Sequence, residues 1–351
     1  LNGGLAKHWR VLLIGAIVSL AAIYFVVKQI NINQLARALS EANYLYALPA
    51  AGLIVLGLAA RSVRWRILLD RKLSLWRSFN IINVTYLVNG LLPFRVGELA
   101  RAYLANRNEP PIPIFTSFST IIVERLLDTL AVLIIMALAV TAAPLPAELR
   151  AAAALFTPLV LIGFAVLIVL AINPARSMRI IERFAPKTLN TRWNIVSWFG
   201  HFLDGLKPLT QIRPLIAVIL WTAISWSFSL ASGYVLMIAF FGAGNWAATC
   251  LFTAAASFAV AVPAVPGNVG TYEAAIIVSL QALNIGGINS TAGVYENAVA
   301  FAIVVHGLNL AVVAVLGVFG FIQEGVTLEQ LSQGTRSLQE RQDNIAGEQV
   351  S

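Results

Sequence analysis

The chain has 351 residues, 59% of them hydrophobic and only 11% charged, with a mean hydropathy of +0.80. That balance excludes a soluble globular domain and a disordered chain, and leaves an all-α polytopic membrane protein. The formal net charge of +8 fits lysines and arginines held beside anionic lipid, so membrane lipid and not nucleic acid is the expected partner. Cys250 is single and can form no internal disulfide, and His8, His201 and His306 are widely scattered, so neither a metal site nor a cofactor is expected.

In chain order, the first apolar run, 11–27, follows Lys7 and Arg10 much as a signal peptide would. It continues into Lys28-Gln29-Ile30 without a small-residue cleavage pattern, and reads as a retained first span. Segment 32–42 is a candidate interfacial helix on the outer side. Further spans are expected at 44–60, 116–143, 152–172, 214–240 and 296–322, from their length and apolarity. Two regions, 79–107 and 246–284, exceed one span and are interrupted. Their breaks are Pro93-Phe94-Arg95-Val96-Gly97-Glu98 and Pro266-Gly267-Asn268-Val269-Gly270-Thr271-Tyr272-Glu273, each with a carboxylate just beyond. Segment 173–213 mixes basic residues with Ile180, Ile181, Phe184, Trp193, Trp198, Phe199 and Phe202, a pattern for amphipathic helices in the cytoplasmic interface. Residues 1–322 then form one transmembrane domain, and 323–351 a polar cytoplasmic tail.

Basic residues set the orientation. Arg61, Arg64, Arg66, Arg71, Lys72 and Arg77 fall in 61–78, and Arg176, Arg179, Arg183, Lys187, Arg192, Lys207 and Arg213 in 173–213. The positive-inside rule makes both segments cytoplasmic. The chain must therefore cross an even number of times between them, and 116–143 with 152–172 already supply two crossings. The arms 79–92 and 96–106 have 14 and 11 residues, about 21 and 16 Å as helix, short of a roughly 30 Å hydrocarbon core. The reading is a re-entrant hairpin from the cytoplasmic side, with 246–284 its counterpart from outside. The expected fold has about six full spans plus two oppositely oriented re-entrant helical hairpins, an inverted repeat. Both termini lie in the cytoplasm.

Charge inside a membrane is costly and marks function or pairing. The set is Arg95, Glu98, Arg101, Glu124, Arg125, Asp128 and Glu273. Glu124 and Asp128 are four residues apart on one helical face and repel unless a cation lies between them: Arg95, Arg101 or a ligand amine. A structural ion-pair cluster is the alternative to a substrate site. Past each break a half-helix begins, its first N–H groups unpaired and its dipole positive. Such an end suits a phosphate or carboxylate, with close approach at Gly267 and Gly270 and neutral hydrogen bonds from Asn89 and Asn268. Glu98 and Glu273 either cap those N–H groups or face a head group. Glu98, Glu273 and Asp128 are the candidates for a coupled proton. Arg61-x-x-Arg64-Trp65-Arg66 reads first as cytoplasmic boundary charge, and His306 as an interhelical hydrogen bond.

These residues carry a resemblance. Asn89-Gly90-Leu91-Leu92-Pro93-Phe94-Arg95-Val96-Gly97-Glu98 with Arg101, Glu124-Arg125-Leu126-Leu127-Asp128, the second break motif and the Arg64-Trp65 pair together look like the transmembrane, flippase-like domain of lysylphosphatidylglycerol synthases, over most of 10–322. The resemblance implies movement of a polar-headed lipid between leaflets of the cell's inner membrane; in fused relatives that lipid is aminoacylated phosphatidylglycerol. Those relatives carry an aminoacyltransferase domain after the membrane part that these residues do not include. The chain is therefore expected to be a transporter and not an enzyme, with its lipid open. A homo-oligomer and a separate lipid-synthesising enzyme are the further partners left open. A solute or ion-coupled secondary transporter is the main alternative. A membrane-embedded lipid-modifying enzyme is the weaker one, since no Ser-His-Asp set stands out. Without a G-x-x-x-x-G-K-[ST] motif, passive flow or ion coupling is the expected drive.

Overall fold

A computed structural model describes residues 20, 23–24, 26–28, 30–92, 95–140, 147–184, 195–261, 266–288 and 293–325. Most of the expected first span, part of the interfacial segment and the tail beyond 325 lie outside these. Among the described residues the structure is helical, with no strand. The helices are α1 (Ile32–Glu41), α2 (Ala47–Leu68), α3 (Leu75–Leu91), α4 (Gly97–Asn106), α5 (Ile114–Val140) and α6 (Ala147–Ile172). They continue with α7 (Pro174–Phe184), α8 (Ile195–Asp204), α9 (Ile212–Phe241), α10 (Trp246–Ala261), α11 (Thr271–Ala282) and α12 (Val294–Glu324).

Local sequence explains many of the boundaries. The Asn31 side chain accepts from the backbone N–H groups of Asn33 and Gln34 to start α1, and Ser74 accepts from Arg77 N–H to start α3. Gly242 and Gly325, at φ 70 and 61, end α9 and α12 in the left-handed conformation. By length and apolarity α2 with its preceding turn (Tyr44–Leu68), α9 and α12 can each cross a membrane. Helices α6 and α7 meet at a bend of 95°. That bend turns the basic, amphipathic α7 away from the direction of α6, as an interfacial helix requires. Helix α5 has 27 residues, about 40 Å, but holds Glu124, Arg125 and Asp128 near its middle.

Small residues set the packing, as they do where lipid offers no hydrophobic drive for helix association. Gly57 of α2 faces Ser225 and Phe228 of α9, and the Ser232 hydroxyl donates to the Ala50 carbonyl at 3.1 Å. Gly317 and Gly320 let α12 lie on α3: a Cβ at Gly317 would come within 2.9 Å of the Asn83 carbonyl, and one at Gly320 within 2.7 Å of the Asn80 carbonyl. Gly97 brings α4 against α3, where a Cβ would collide with the Thr85 carbonyl and the Asn89 side chain. Helix α10 packs on α11, and on α5 through Leu251 and Ala254 against Val132 and Met136.

Both interrupted regions are broken where the Pro/Gly motifs fall. The first has arms of 17 and 10 residues in α3 and α4, and the second arms of 16 and 12 in α10 and α11. The two breaks touch. The Arg95 guanidinium donates to the Val260 carbonyl at 3.4 Å, and a Cβ at Gly267 would sit 3.7 Å from the Gly90 carbonyl. One sequence expectation needs correction. Helix α2 runs on to Leu68, so Arg61, Arg64 and Arg66 lie on a helix and not in a boundary loop, and Arg64 is 1% exposed.

Gly317→Val is expected to overpack the α3–α12 contact at a cost of about 1–3 kcal/mol. Gly307→Val, with nothing within 4 Å of a Cβ there, is the control. The measurement is the thermal unfolding midpoint of purified protein in detergent, lowered by the first change and not by the second.

Candidate functional site

The expected repulsion between Glu124 and Asp128 is relieved by Arg64. Its Nη1 and Nη2 donate to the Asp128 carboxylate at 2.6 and 3.2 Å, and its Nε donates to Glu124 Oε1 at 3.3 Å. Nη1 also reaches Thr222 Oγ1 at 3.2 Å, and Trp226 Nε1 donates to Asp128 Oδ1 at 3.3 Å. Arg101 holds the other side of Glu124, with Nη1 2.6 Å from Oε2 and its guanidinium 4.0 Å over the Trp65 ring. Trp65 is fixed in turn, its indole N–H donating to Thr120 Oγ1 at 3.2 Å. Glu98 lies between Arg125 at 3.4 Å and Arg101 at 3.8 Å. Arg61 donates to the Tyr86 hydroxyl and lies over the rings of Tyr86 and Trp226, at 5.5 and 5.6 Å.

The structure thus brings Glu98, Arg101, Glu124, Arg125 and Asp128 into one cluster. Asn89 stands beside it with a different task. Its Oδ1 accepts from Gly97 N–H at 2.8 Å, so Asn89 caps α4 and leaves the Glu98 carboxylate to the arginines. Arg95, in the left-handed region at φ 53, reaches the carbonyl end of α10 instead of the Glu124–Asp128 pair; a cation is favourable there.

The second break is built differently. Gly267, Asn268 and Gly270 have φ of 73, 55 and 90. Glu273 Oε2 accepts from Gly270 N–H at 2.7 Å, the capping option for this residue, while Oε1 lies 2.7 Å from His306 Nδ1. The Tyr272 ring stacks on His306 with centroids 4.3 Å apart. His306 therefore makes the expected interhelical hydrogen bond, and Glu273 is its partner. The Asn268 carbonyl accepts from Thr271 Oγ1 at 3.0 Å.

Sequence reasoning missed Arg61, Arg64, Thr222, Trp226 and Tyr86. A signal was present for two of them: Arg61 and Arg64 are three apart on one helical face, and Ile67 and Leu68 carry the apolar run past them.

Around Glu124 the cluster holds four guanidinium groups, from Arg61, Arg64, Arg101 and Arg125, against three carboxylates, from Glu98, Glu124 and Asp128. Several buried atoms also have no hydrogen-bond partner among the described residues: Nε of Arg61, Arg101 and Arg125, Nη2 of Arg101 and Oε2 of Glu98. A positive surplus with spare donors in a low-dielectric site is complementary to an anion.

A second prediction concerns the pairing itself. Arg64→Met leaves two buried carboxylates short of a cation and is expected to destabilise the protein by about 3–5 kcal/mol. Adding Asp128→Asn to that variant should recover part of the loss, because the two residues act as a unit. Thermal unfolding in detergent measures both, and strict additivity would rule out the pair as described.

The family described as the lysylphosphatidylglycerol synthase TM region matches residues 12–317. No curated protein and no solved structure matches the chain.

Proposed function

We propose, from the premise that this chain belongs to the lysylphosphatidylglycerol synthase transmembrane family, that it is a lipid transporter that holds an anionic head group at the arginine-rich cluster and passes it between leaflets. The observation that carries this reading is the uncompensated positive charge of the buried cluster beside the contact of the two helix breaks. Its lateral side favours a lipid over a free solute. The Arg125 side chain is 35% exposed, and Ile122, one turn earlier on α5, is 42% exposed. A head group at Arg125 therefore leaves its acyl chains against apolar surface.

In this reading the two broken regions are re-entrant hairpins that enter from opposite faces of a chain with about six full spans. Their arms support it, since 17, 10, 16 and 12 residues give about 26, 15, 24 and 18 Å, each short of a roughly 30 Å core. Their touching tips support it too, as a site at the midplane between repeats requires. The proposed setting is the cell's inner membrane with both termini cytoplasmic. The proposed role is transport and not lipid synthesis.

The test is reconstitution into phosphatidylcholine vesicles with fluorescent phosphatidylglycerol and a panel of neutral and cationic lipids, followed by chemical quenching of the outer leaflet. The wild-type protein is expected to accelerate movement of the anionic probe over protein-free vesicles. Arg125→Gln, which removes one charge-assisted contact of about 1.5–3 kcal/mol, should slow it about 10- to 100-fold. If every lipid in the panel stays in its original leaflet with wild-type protein, the reading fails.

A further inference from the structure

Three carboxylates were candidates for a coupled proton, and their partners separate them. Glu98 and Asp128 are held by arginines, as is Glu124. A guanidinium keeps its proton throughout the physiological range, so the cations that hold those carboxylates have no proton to exchange. Glu273 is held by an imidazole, the one side chain whose ordinary titration falls between about pH 5 and 8. We infer that the Glu273–His306 pair is a proton-binding site, and that the protein moves a proton together with its lipid. This inference rests on the transporter reading above.

The pair has no further ion-pair partner among the described residues. Its side chains are 14% and 7% exposed, with Glu273 Oε1 2.7 Å from His306 Nδ1. Tyr272 of α11 stacks on the imidazole. On α10, Cys250 packs toward α5 with Val132 and Trp226. On α9, Tyr234 stacks against Trp246. On α3, Tyr86 bonds Arg61 of α2, and Arg77 pairs with Glu324 at the far end of α12. On α2, Arg64 is bound in the cluster and Arg66 donates to the Leu73 carbonyl. Also on α12, Tyr295 donates to the Val26 carbonyl, and Glu296 accepts from Asn31 N–H at 3.0 Å. Arg37 and Glu41 of α1 are exposed. At the first break, Arg95 reaches Val260. No arginine or lysine is paired with Glu273 among the described residues.

One bound proton makes the pair neutral, as carboxylate and imidazolium. Losing that proton leaves a net negative charge between α11 and α12, and gaining a second leaves a net positive one. Either is costly in a low-dielectric setting, so a change in the pair's proton occupancy goes with a change in its access to water. Only O–H and N–H bonds change, and the proton comes from water on one side and returns to water on the other.

The pair is also wired to a hinge. Glu273 Oε2 is the acceptor for Gly270 N–H, beside the left-handed residues of the second break. Protonating Glu273 turns a charge-assisted hydrogen bond into a weaker neutral one. That break in turn touches the first break, at Gly90 and Arg95. Proton occupancy therefore bears on the contact beside which the head-group cluster sits.

The experiment uses phosphatidylcholine vesicles with fluorescent phosphatidylglycerol and an entrapped pH dye. Wild-type protein is expected to move lipid at a rate that changes at least about tenfold between pH 5.5 and 7.5, with a dye signal that accompanies lipid movement. His306→Gln keeps a hydrogen-bonding group but does not titrate, and its lipid movement should be flat over that range and without proton flux. A second measurement needs no transport: in detergent, a jump across the same range should bind fewer protons in His306→Gln than in wild type. Wild-type lipid movement indifferent to pH, or His306→Gln with the wild-type pH profile or unaltered proton uptake, would overturn the proton site while leaving the transporter reading intact. No lipid movement at any pH would overturn both.

Discussion

A guanidinium that is 1% exposed, held by two carboxylates from another helix, fixes the frame of this protein. Arg64 comes from α2, Glu124 and Asp128 from α5, and Thr222 and Trp226 from α9. Separating α2 from α5 would strand an ion in a medium where an unpaired charge costs more than ordinary packing returns. The α2–α9 contact is close because Gly57 permits it, but glycine alone allows sliding. The ion network does not, since a one-residue shift of α2 would carry Arg64 away from both acids. Arg101 extends the same constraint to α4 and so to the first broken region.

Against that frame the two breaks have unlike chemistry. At the first, Asn89 takes over capping, and Glu98 is left to join the arginines. At the second, Glu273 itself caps the chain and spends its other oxygen on His306. Among the described residues, surplus positive charge therefore collects beside the first tip and not the second. The resemblance between the Pro/Gly motifs is real at the level of backbone, where both interrupt a helix. It does not extend to the side chains, so the carboxylates that follow the two breaks are not equivalent.

Much of this was legible in the sequence because Pro and Gly punctuate apolar runs unambiguously, and because Glu124 and Asp128 at helical spacing demand a cation. Which cation was harder to read. Arg101 was a candidate and does pair with Glu124, whereas Arg95 was a candidate and reaches Val260 instead. Arg64 was hidden by its neighbours. It sits among basic residues that the positive-inside rule assigns to a boundary, and only helical phase, with Ile67 and Leu68 continuing the run, separates it from them. The Glu273–His306 contact spans 33 residues and depends on how α11 lies against α12, which no local pattern encodes. Hydropathy likewise placed 214–240 and 296–322 within a few residues of α9 and α12 but could not show that α2 continues to Leu68.

The contrast between the two tips also says which part is free to move in the proposed transport. Three helices, α2, α4 and α5, are locked by buried ions around Arg64 and Arg101, and changing their relation would break several charge-assisted bonds at once. The second broken region carries no arginine, and its contacts with the first among the described residues include a guanidinium-to-carbonyl hydrogen bond and a glycine contact. A hydrogen bond from a charged group is worth about 1.5–3 kcal/mol, within reach of ligand binding or a change in proton occupancy. Left-handed residues at Gly267, Asn268 and Gly270 give that region a place to bend. The arginine cluster is then the fixed wall of the proposed head-group site, and the region around Glu273 the wall that would shift against it.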